Sequence, residues 1–290
     1  MELKEIRLKI QSVSNIRKLT SALETLSALK MKKSQKYALL SRPFAQRVGR
    51  LVRWLEPTLR DKVALRKRKL KTALAVVIAS DRGFCGSFNQ NILKSALKQI
   101  EKLEAKSEVA VFPIGKKSVS FFKKRNKKFD QSMTGIGDYG SLEEIKPVSD
   151  FIIRAYTENH YQRVYLVWTD FVSTFNQKPK CMQLLPLEWD ELKEFAQQSE
   201  KEVVDAETLI EPSAQVVVEE IIPQLVEYLI YQCVLESNAS EHSARMTAMR
   251  NASDNARDRV VELTLDYNKA RQQQITSEVC EISSAKEVLG

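Results

Sequence analysis

Residues Ala239–Ala256 read ASEHSARMTAMRNASDNA, a stretch with neither glycine nor proline, and its spacing decides the fold. Ala239, His242, Met246, Met249, Ser253 and Ala256 alternate steps of three and four, the period of one face of a helix. Worked outward from Val218, the same alternation takes in Ile221, Leu225, Tyr228, Gln232 and Leu235 before this stretch. After it come Val260, Leu263, Tyr267, Ala270 and Gln274. A heptad seam sustained that far predicts a long coiled-coil helix over 212–288. Pro212 suits its first turn and Pro223 is placed to kink its early part. Such a helix measures roughly 110 Å, too long to lie within a compact domain of this chain's size, so it is expected to protrude.

The opposite end of the chain has the same grammar. Leu3, Ile6, Ile10, Val13, Ile16, Leu19, Leu23, Leu26 and Leu29 step by three or four, and Tyr37, Leu40, Phe44, Val48, Leu51 and Leu55 continue the series towards Pro57. The spacing predicts a helix over 1–56 with one broad apolar stripe and a kink near Pro43. Two long helices at opposite ends most simply cover each other's stripes as an antiparallel pair.

Between them the periodicity changes. TALAVVIAS (Thr72–Ser80), VAVFPIG (Val109–Gly115) and RVYLVWTDF (Arg163–Phe171) are short, apolar, β-branched runs. Helical segments separate them at Gln90–Glu104, Lys116–Arg125 and Ser141–Asn159. Strands alternating with helices predict βαβ units and a small, largely parallel sheet over 72–208. The acidic Leu187–Pro212 reads as the connection back to the second long helix. The fold class is therefore α/β: a long antiparallel coiled coil of the terminal helices with an inserted Rossmann-like domain.

Composition narrows the function. The 290 residues carry a net charge of +9, but residues 1–71 hold 20 Lys/Arg against 5 Asp/Glu while the remainder holds 26 against 32. A basic excess confined to one segment fits an acidic protein surface, an anionic membrane, nucleic acid or a solvated helix face. No apolar run approaches the ~20 residues of a membrane span. MELKEIRLKI has the look of neither a signal peptide nor a transit peptide. Cys85, Cys181, Cys233 and Cys280 form no CxxC pair, and with two histidines in all there is no metal-ligand spacing, so reduced, mostly buried thiols are expected.

Candidate chemistry is sparse. SDRGFCGSFNQNI (Ser80–Ile92) joins the first strand to a helix, where backbone N–H groups can hold phosphate, yet it has neither GxGxxG nor GxxxxGK[ST] and reads as a tight structural turn before it reads as a phosphate site. Cys85 beside Arg82 invites a lowered thiol pKa, but no resolving cysteine or base accompanies it. His242 falls on the seam as a packed polar residue, and His160 in a loop. LRKRKLK (Leu65–Lys71) lacks the interleaved aromatics of a nucleic-acid module. No set of nucleophile, base and metal ligands is visible.

Three stretches together carry a resemblance. IRLKIQSVSNIRKLTSALETLSALKMKKSQ, SDRGFCGSFN and ASEHSARMTAMRNASDNARDRVVELTLDYNKARQQQITSEVCEI resemble the γ subunits of F-type ATP synthases, in the same order of helix, α/β domain and helix. The resemblance implies a central rotor shaft without catalytic residues, cofactor or metal. One copy would turn inside the hexamer of α and β subunits, stand on the membrane ring of c subunits and hold the ε subunit. It implies a peripheral position on the cytoplasmic face of a bacterial inner membrane. Arg271 and Gln272 match the family's catch on a β-subunit loop. Leu23 and Lys30 match positions where the family's first helix passes the β subunits, and Arg245 and Arg250 match positions that face either the stator or the first helix. Glu211 and Pro212 match the foot near the c ring.

Departures from the family pattern are local. Leu23 and Thr25 replace methionines, Gly86-Ser87 replaces Gly-Gly, Ile210 replaces an aromatic, and SSAKEVLG replaces a Gly/Ala-rich end; the dithiol insert of chloroplast γ subunits is missing. A thin shaft suits the seam, because Ala239, Ser253 and Ala256 let helices approach closely and Met246 and Met249 adapt. Three readings stand: a rotor, a static coiled-coil tether with the same composition, and an α/β enzyme using the Ser80–Asn89 turn.

Overall fold

The computed structural model describes residues 3–59, 68–127, 129, 131–138, 141–187 and 213–289. Among them the order is α1 (Leu3–Leu59), β1 (Thr72–Ile78), α2 (Phe88–Glu104), β2 (Glu108–Ile114), α3 (Lys116–Lys123), α4 (Leu142–Thr157), β3 (Arg163–Ser173), β4 (Asn176–Leu185) and α5 (Ala214–Leu289). Two compact units emerge: Met1–Ser27 with Arg245–Gly290, and Ala28–Ala244.

The Ala28–Ala244 unit is built on a four-stranded sheet of order β2-β1-β3-β4. β1 runs parallel to β2 and to β3, with Val76 opposite Phe112 on one side and Leu166 on the other. Alternate strand residues divide into two cores, as the two-residue period requires. Ala75, Val77, Val111 and Val167 pack against α2 and α3 through Ile92, Ala96, Ile100 and Phe122. Leu74, Val76, Ile78, Leu166 and Trp168 pack on the other face against Ile145, Val148 and Ile152 of α4 and Leu225, Val226, Leu229 and Cys233 of α5. Burial on both faces explains why TALAVVI is a continuous apolar run.

Local signals start and stop these elements. Ser141 caps α4 by accepting from the Glu144 backbone N–H, and the Glu144 side chain reaches back to the cap, a capping box. α3 begins at Gly115, whose φ of 90° and a virtual Cβ only 2.1 Å from the Ala79 carbonyl oxygen leave room for glycine alone. The strand absent from the sequence reading is β4, antiparallel to β3, so the sheet is mixed. Its first half, NQKPK, is polar and includes Pro179, which an edge strand tolerates; Met182, Leu184 and Leu185 of its second half are buried.

In the other unit α1 and α5 pair antiparallel: Glu24 meets Arg250 (3.4 Å), and Arg17 and Lys18 share a groove with Arg257. The α5 seam follows the sequence reading. Met249, Ala256 and Leu263 are buried, Met246 and Ser253 are half-buried, and Val260, Tyr267 and Ala270 are half-buried between exposed neighbours. Residues 271–284, Gln274 among them, are exposed.

The first helix departs from expectation. Its buried positions are Ile6, Thr20 and Ser27 in this unit and Met31, Ser34, Ala38 and Ser41 in the other. Ile16, Leu19, Leu26 and Leu29, read as part of the covered stripe, are 47–62% exposed. Small hydroxyl residues take the inner positions because their side chains bond within their own helix: Thr20 donates to the Ile16 carbonyl (3.0 Å) and Ser27 to that of Leu23 (2.6 Å). A hydroxyl satisfied in this way is buried at little cost. Among the described residues no helix is long and apolar enough to cross a membrane.

Candidate functional site

Three groups of residues were candidates: the Ser80–Asn89 turn, the polar residues of the seam, and the motif residues of the two long helices. The turn is tied to itself. Asn89 Oδ1 accepts from the Ser80 backbone N–H (3.1 Å), Ser80 Oγ donates to the Arg82 carbonyl (2.6 Å), and Asn89 Nδ2 donates to Cys85 Sγ (3.0 Å). Phe84 and Gly86 both take positive φ, at 58° and 55°, which makes the chain double back here. Cys85 is buried within that knot, while Phe84 points out, 80% exposed. The nearby helix N-terminus of α3 is also filled: Asp81 accepts from the Lys116 N–H and the Gly135 N–H (both 2.8 Å). A carboxylate thus occupies the position a phosphate would take.

Cys233 is buried in the core with its thiol pushed up by desolvation, so it is held as a thiol and not as the reactive thiolate. Two polar networks do join the elements. In one, Trp168 Nε1 donates to Glu236 Oε2 (3.0 Å), Gln232 Nε2 donates to Glu236 Oε1 (2.9 Å), and Ser41 of α1 donates to Gln232 Oε1. A buried carboxylate is thereby given donors from a strand and a helix, as burial demands.

The second network centres on Asp138, in the loop before α4. Its Oδ2 accepts from Lys30 Nζ at 2.5 Å and its Oδ1 lies 3.1 Å from His242 Nε2. Its backbone carbonyl accepts from Ser34 Oγ (3.1 Å) and Asn238 Nδ2 (3.1 Å). One loop residue therefore binds two residues of α1 and two of α5. The hydrogen bond from His242, and then the one from Lys30, hold the Asp138 carboxyl well below the usual carboxylate range against the opposing effect of burial. A cavity of about 300 Å³ borders this cluster at the C-terminal ends of β1 and β2, lined by Asp81, Arg82, Lys116, Asn238 and Glu241 among others.

Sequence reading singled out Lys30 and His242 separately but missed Asp138, because TGIGDYG carries no periodicity and nothing in it foretells which helices the loop touches.

The motif residues are distributed along the helices. Leu23 is half-buried on α1, and Arg250 lies against Glu24, so of its two expected directions it takes the one towards the first helix. Arg245 is buried, at 8% exposure. Arg271 and Gln272 are adjacent and exposed on α5, past the end of the covered seam. Glu211 and Pro212 lie outside the described residues. His160 is exposed, 3.6 Å from Glu158.

The family model described as ATP synthase matches residues 2–289. The ATP synthase gamma chain of Pelotomaculum thermopropionicum is 38% identical over 284 residues, covering 97% of this chain and 96% of the relative. That of Xanthomonas campestris pv. campestris is 39% identical over 285 residues, covering 97% of each. Among solved structures, a chain of the central stalk and c-ring of the Tetrahymena thermophila mitochondrial ATP synthase superposes with a TM-score of 0.62 at 25% identity, covering 81% of this chain and 99% of that one. A chain of the Euglena gracilis mitochondrial ATP synthase shares the fold with a TM-score of 0.64 at 17% identity, covering 99% of this chain and 95% of that one.

Proposed function

The chain belongs to the ATP synthase gamma-chain family, a central-stalk rotor component of that complex, and on this premise we propose how its parts divide the work. The terminal helices, 1–56 and 212–288, serve as the shaft that turns within a hexamer of α and β subunits. The α/β domain, 72–208, stands towards the membrane ring of c subunits and holds the ε subunit. The chain itself carries no catalytic residue; it works by presenting a different face to each β subunit as it turns, on the cytoplasmic side of the inner membrane. One copy serves each complex.

One observation carries this reading. The paired helices bury Thr20, Ser27 and Ala256 and leave Leu19 and Leu26 of α1 exposed, with Leu265, Val279 and Ile282 on α5. A helix that keeps its small residues inside and its leucines outside is built to be enclosed by another surface. Leu23 and Lys30 are proposed to face the hexamer from α1, and Arg271 and Gln272 to catch a β-subunit loop from the uncovered part of α5. Arg245 and Arg250 are proposed to face the stator or the first helix from the middle of α5, and Glu211 with Pro212 to form the foot at the c ring. Lys30 gives one of its three ammonium donors to Asp138, and two remain for a stator acceptor.

The test mixes the chain with α and β subunits from the same source and follows Mg-ATP hydrolysis and complex size. Retention of one copy per hexamer with turnover raised above α and β alone is the expected result; a chain that neither binds nor changes turnover while the hexamer assembles overturns the reading. Within the assembled complex Arg271→Ala is expected to lower coupled turnover roughly tenfold, the weight of one lost charge-assisted hydrogen bond. Unchanged coupling removes Arg271 from the catch.

A further inference from the structure

Thr20, Ser27, Ser34 and Ser41 follow one another at intervals of seven along α1, and every one of them is buried. Seven residues are close to two helical turns, so these hydroxyls share one heptad position. Within the Ala28–Ala244 unit, Met31 and Ala38 complete the inner face of α1. Ser34 Oγ donates to the Asp138 carbonyl (3.1 Å), and Ser41 donates to Gln232 Oε1 of α5. The Gln232 amide is aimed by its own bond from Nε2 to Glu236 (2.9 Å).

A face made mostly of small side chains specifies register weakly, because it offers few knobs to lock into holes. Its hydroxyls restrict the choice. A slip of three or four residues puts Met31, Tyr37, Lys30 or Ala38 in the place of Ser34, and the bond to the Asp138 carbonyl is lost or remade. A slip of seven puts Ser27 or Ser41 there, hydroxyl for hydroxyl. The ladder at Ser34 therefore favours registers about 10 Å apart along the helix without choosing between them.

Lys30 makes the choice. In the same slips its place is taken by Leu23 or Tyr37, and neither can set an ammonium on Asp138 Oδ2, which Lys30 Nζ reaches at 2.5 Å. Losing a hydrogen bond to a charged group costs more than losing a neutral one. The loop is in turn fixed to α5, because Asn238 Nδ2 donates to the carbonyls of Gly137 (3.3 Å) and Asp138 (3.1 Å). We propose that Lys30 is the register-selecting residue of α1: acting through Asp138, it fixes which heptad of the first helix lies beside Asn238 and Gln232 of α5. Its role is one of positioning. Only the consequence rests on the shaft reading, since a shaft with a single register presents one fixed set of outward residues to the subunits around it.

Distances between spin labels on the full-length chain test the proposal. The labels replace Lys36 of α1 and Gln224 of α5, both exposed, in a background with Cys181→Ser and Cys280→Ser. Wild type is expected to give one narrow distance. Lys30→Leu, which supplies the residue that a slip would bring, is expected to add a second population of at least about one part in ten. Lys30→Arg keeps the charge and is expected to restore the single distance. Ser34→Ala removes a bond to the same loop residue but not the selecting charge, and is expected to stay single; a role in cohesion alone would make it behave as Lys30→Leu does. Asp138→Asn leaves the helix sequence untouched and gives a second reading should Lys30→Leu not fold, with the distance distribution expected to broaden about twofold. A single wild-type distance in Lys30→Leu, an unchanged width in Asp138→Asn, or splitting in Ser34→Ala and Lys30→Arg as well overturns the proposal. Because the distances are read on the chain alone, failure of the chain to stimulate α and β subunits overturns the shaft reading and leaves this result standing.

Discussion

The sheet core of the Ala28–Ala244 unit and the helix seam of the Met1–Ser27/Arg245–Gly290 unit solve opposite packing problems. In the first, Leu74, Phe112, Ile152, Leu166 and Trp168 are at most 4% exposed and every large apolar side chain of β1 is inside. In the second, the closest positions hold Thr20, Ser27 and Ala256, while Leu19, Leu26, Val261 and Leu265 face outward. The core removes its apolar surface from water within the chain. The seam leaves apolar surface for a partner and relies on close helix approach, backbone-bonded hydroxyls and Met249 and Leu263 for its own cohesion. Stability is therefore expected to concentrate in the first unit and association in the second.

That contrast is tested most severely at the centre of the sheet. Leu166 is fully buried on β3, between α4 and α5. Leu166→Ala is expected to cost about 2–5 kcal/mol, the transfer loss plus a cavity in a rigid core. A urea-denaturation midpoint measures it, and a cost below about 1 kcal/mol would mean that this core relaxes like a loosely packed one. Gly115→Ala comes next. The added Cβ meets the Ala79 carbonyl oxygen at 2.1 Å and the residue must hold φ near 90°. Strain of this kind costs about 1–3 kcal/mol or shifts the start of α3, and loss of the Lys116–Asp81 hydrogen bond, visible as faster exchange of the Lys116 amide, would mark the shift.

The same two regions differ in how well sequence foretold them. The α5 seam was legible position by position through Ala270 because a helix repeats, so a single uninterrupted period constrains dozens of residues at once. Strands β1, β2 and β3 were legible as apolar runs because the sheet buries both of their faces. β4 was not. Asn176–Leu185 pairs with β3 through a tight hairpin, but Lys178, Pro179 and Lys180 hide its period, and only its last residues reach the core. The seam of α1 was misread for a different reason. Hydrophobicity marks what must leave water, without saying whether the chain itself or a partner covers it, so Leu19 and Leu26 were assigned to the inner face that Thr20 and Ser27 occupy. Asp138 was invisible because its role depends on a loop touching two helices more than 100 positions away in opposite directions along the chain.

Asp138 offers a smaller and pH-dependent test. Its carboxyl is held below the usual range by His242 and Lys30, so the native state gives up the proton more readily than the unfolded chain. The resulting stability is complete above the ordinary carboxylate range, about pH 4, and is lost as pH falls from there towards the depressed native value. With the side chain 38% exposed, solvent screening leaves the cluster about 0.5–1 kcal/mol. Asp138→Asn is accordingly expected to lower the denaturation midpoint modestly at pH 7 and to reduce the slope of stability against pH below 4. An unchanged slope would assign acid sensitivity to other carboxylates.

The smallest expected effect on stability is the one that most directly separates the two regions. Leu26 is 47% exposed on α1, one residue before buried Ser27. If its side chain contributed to the chain's own packing as a core leucine does, Leu26→Ser would cost several kcal/mol. Placed outside the seam, it is expected to change the denaturation midpoint by less than about 0.5 kcal/mol, the range of surface substitutions. The loss is expected instead in assembly, where burying one leucine against a partner contributes about 1.5–3 kcal/mol. Ten-fold or greater weakening of retention by α and β subunits, at unchanged stability, would therefore be the signature of a surface made to be covered by another chain. Destabilisation without weakened retention would place Leu26 back inside the pair. Loss of neither would leave the outward row without the partner that its composition implies, since an apolar row that costs nothing to remove is serving neither fold nor assembly.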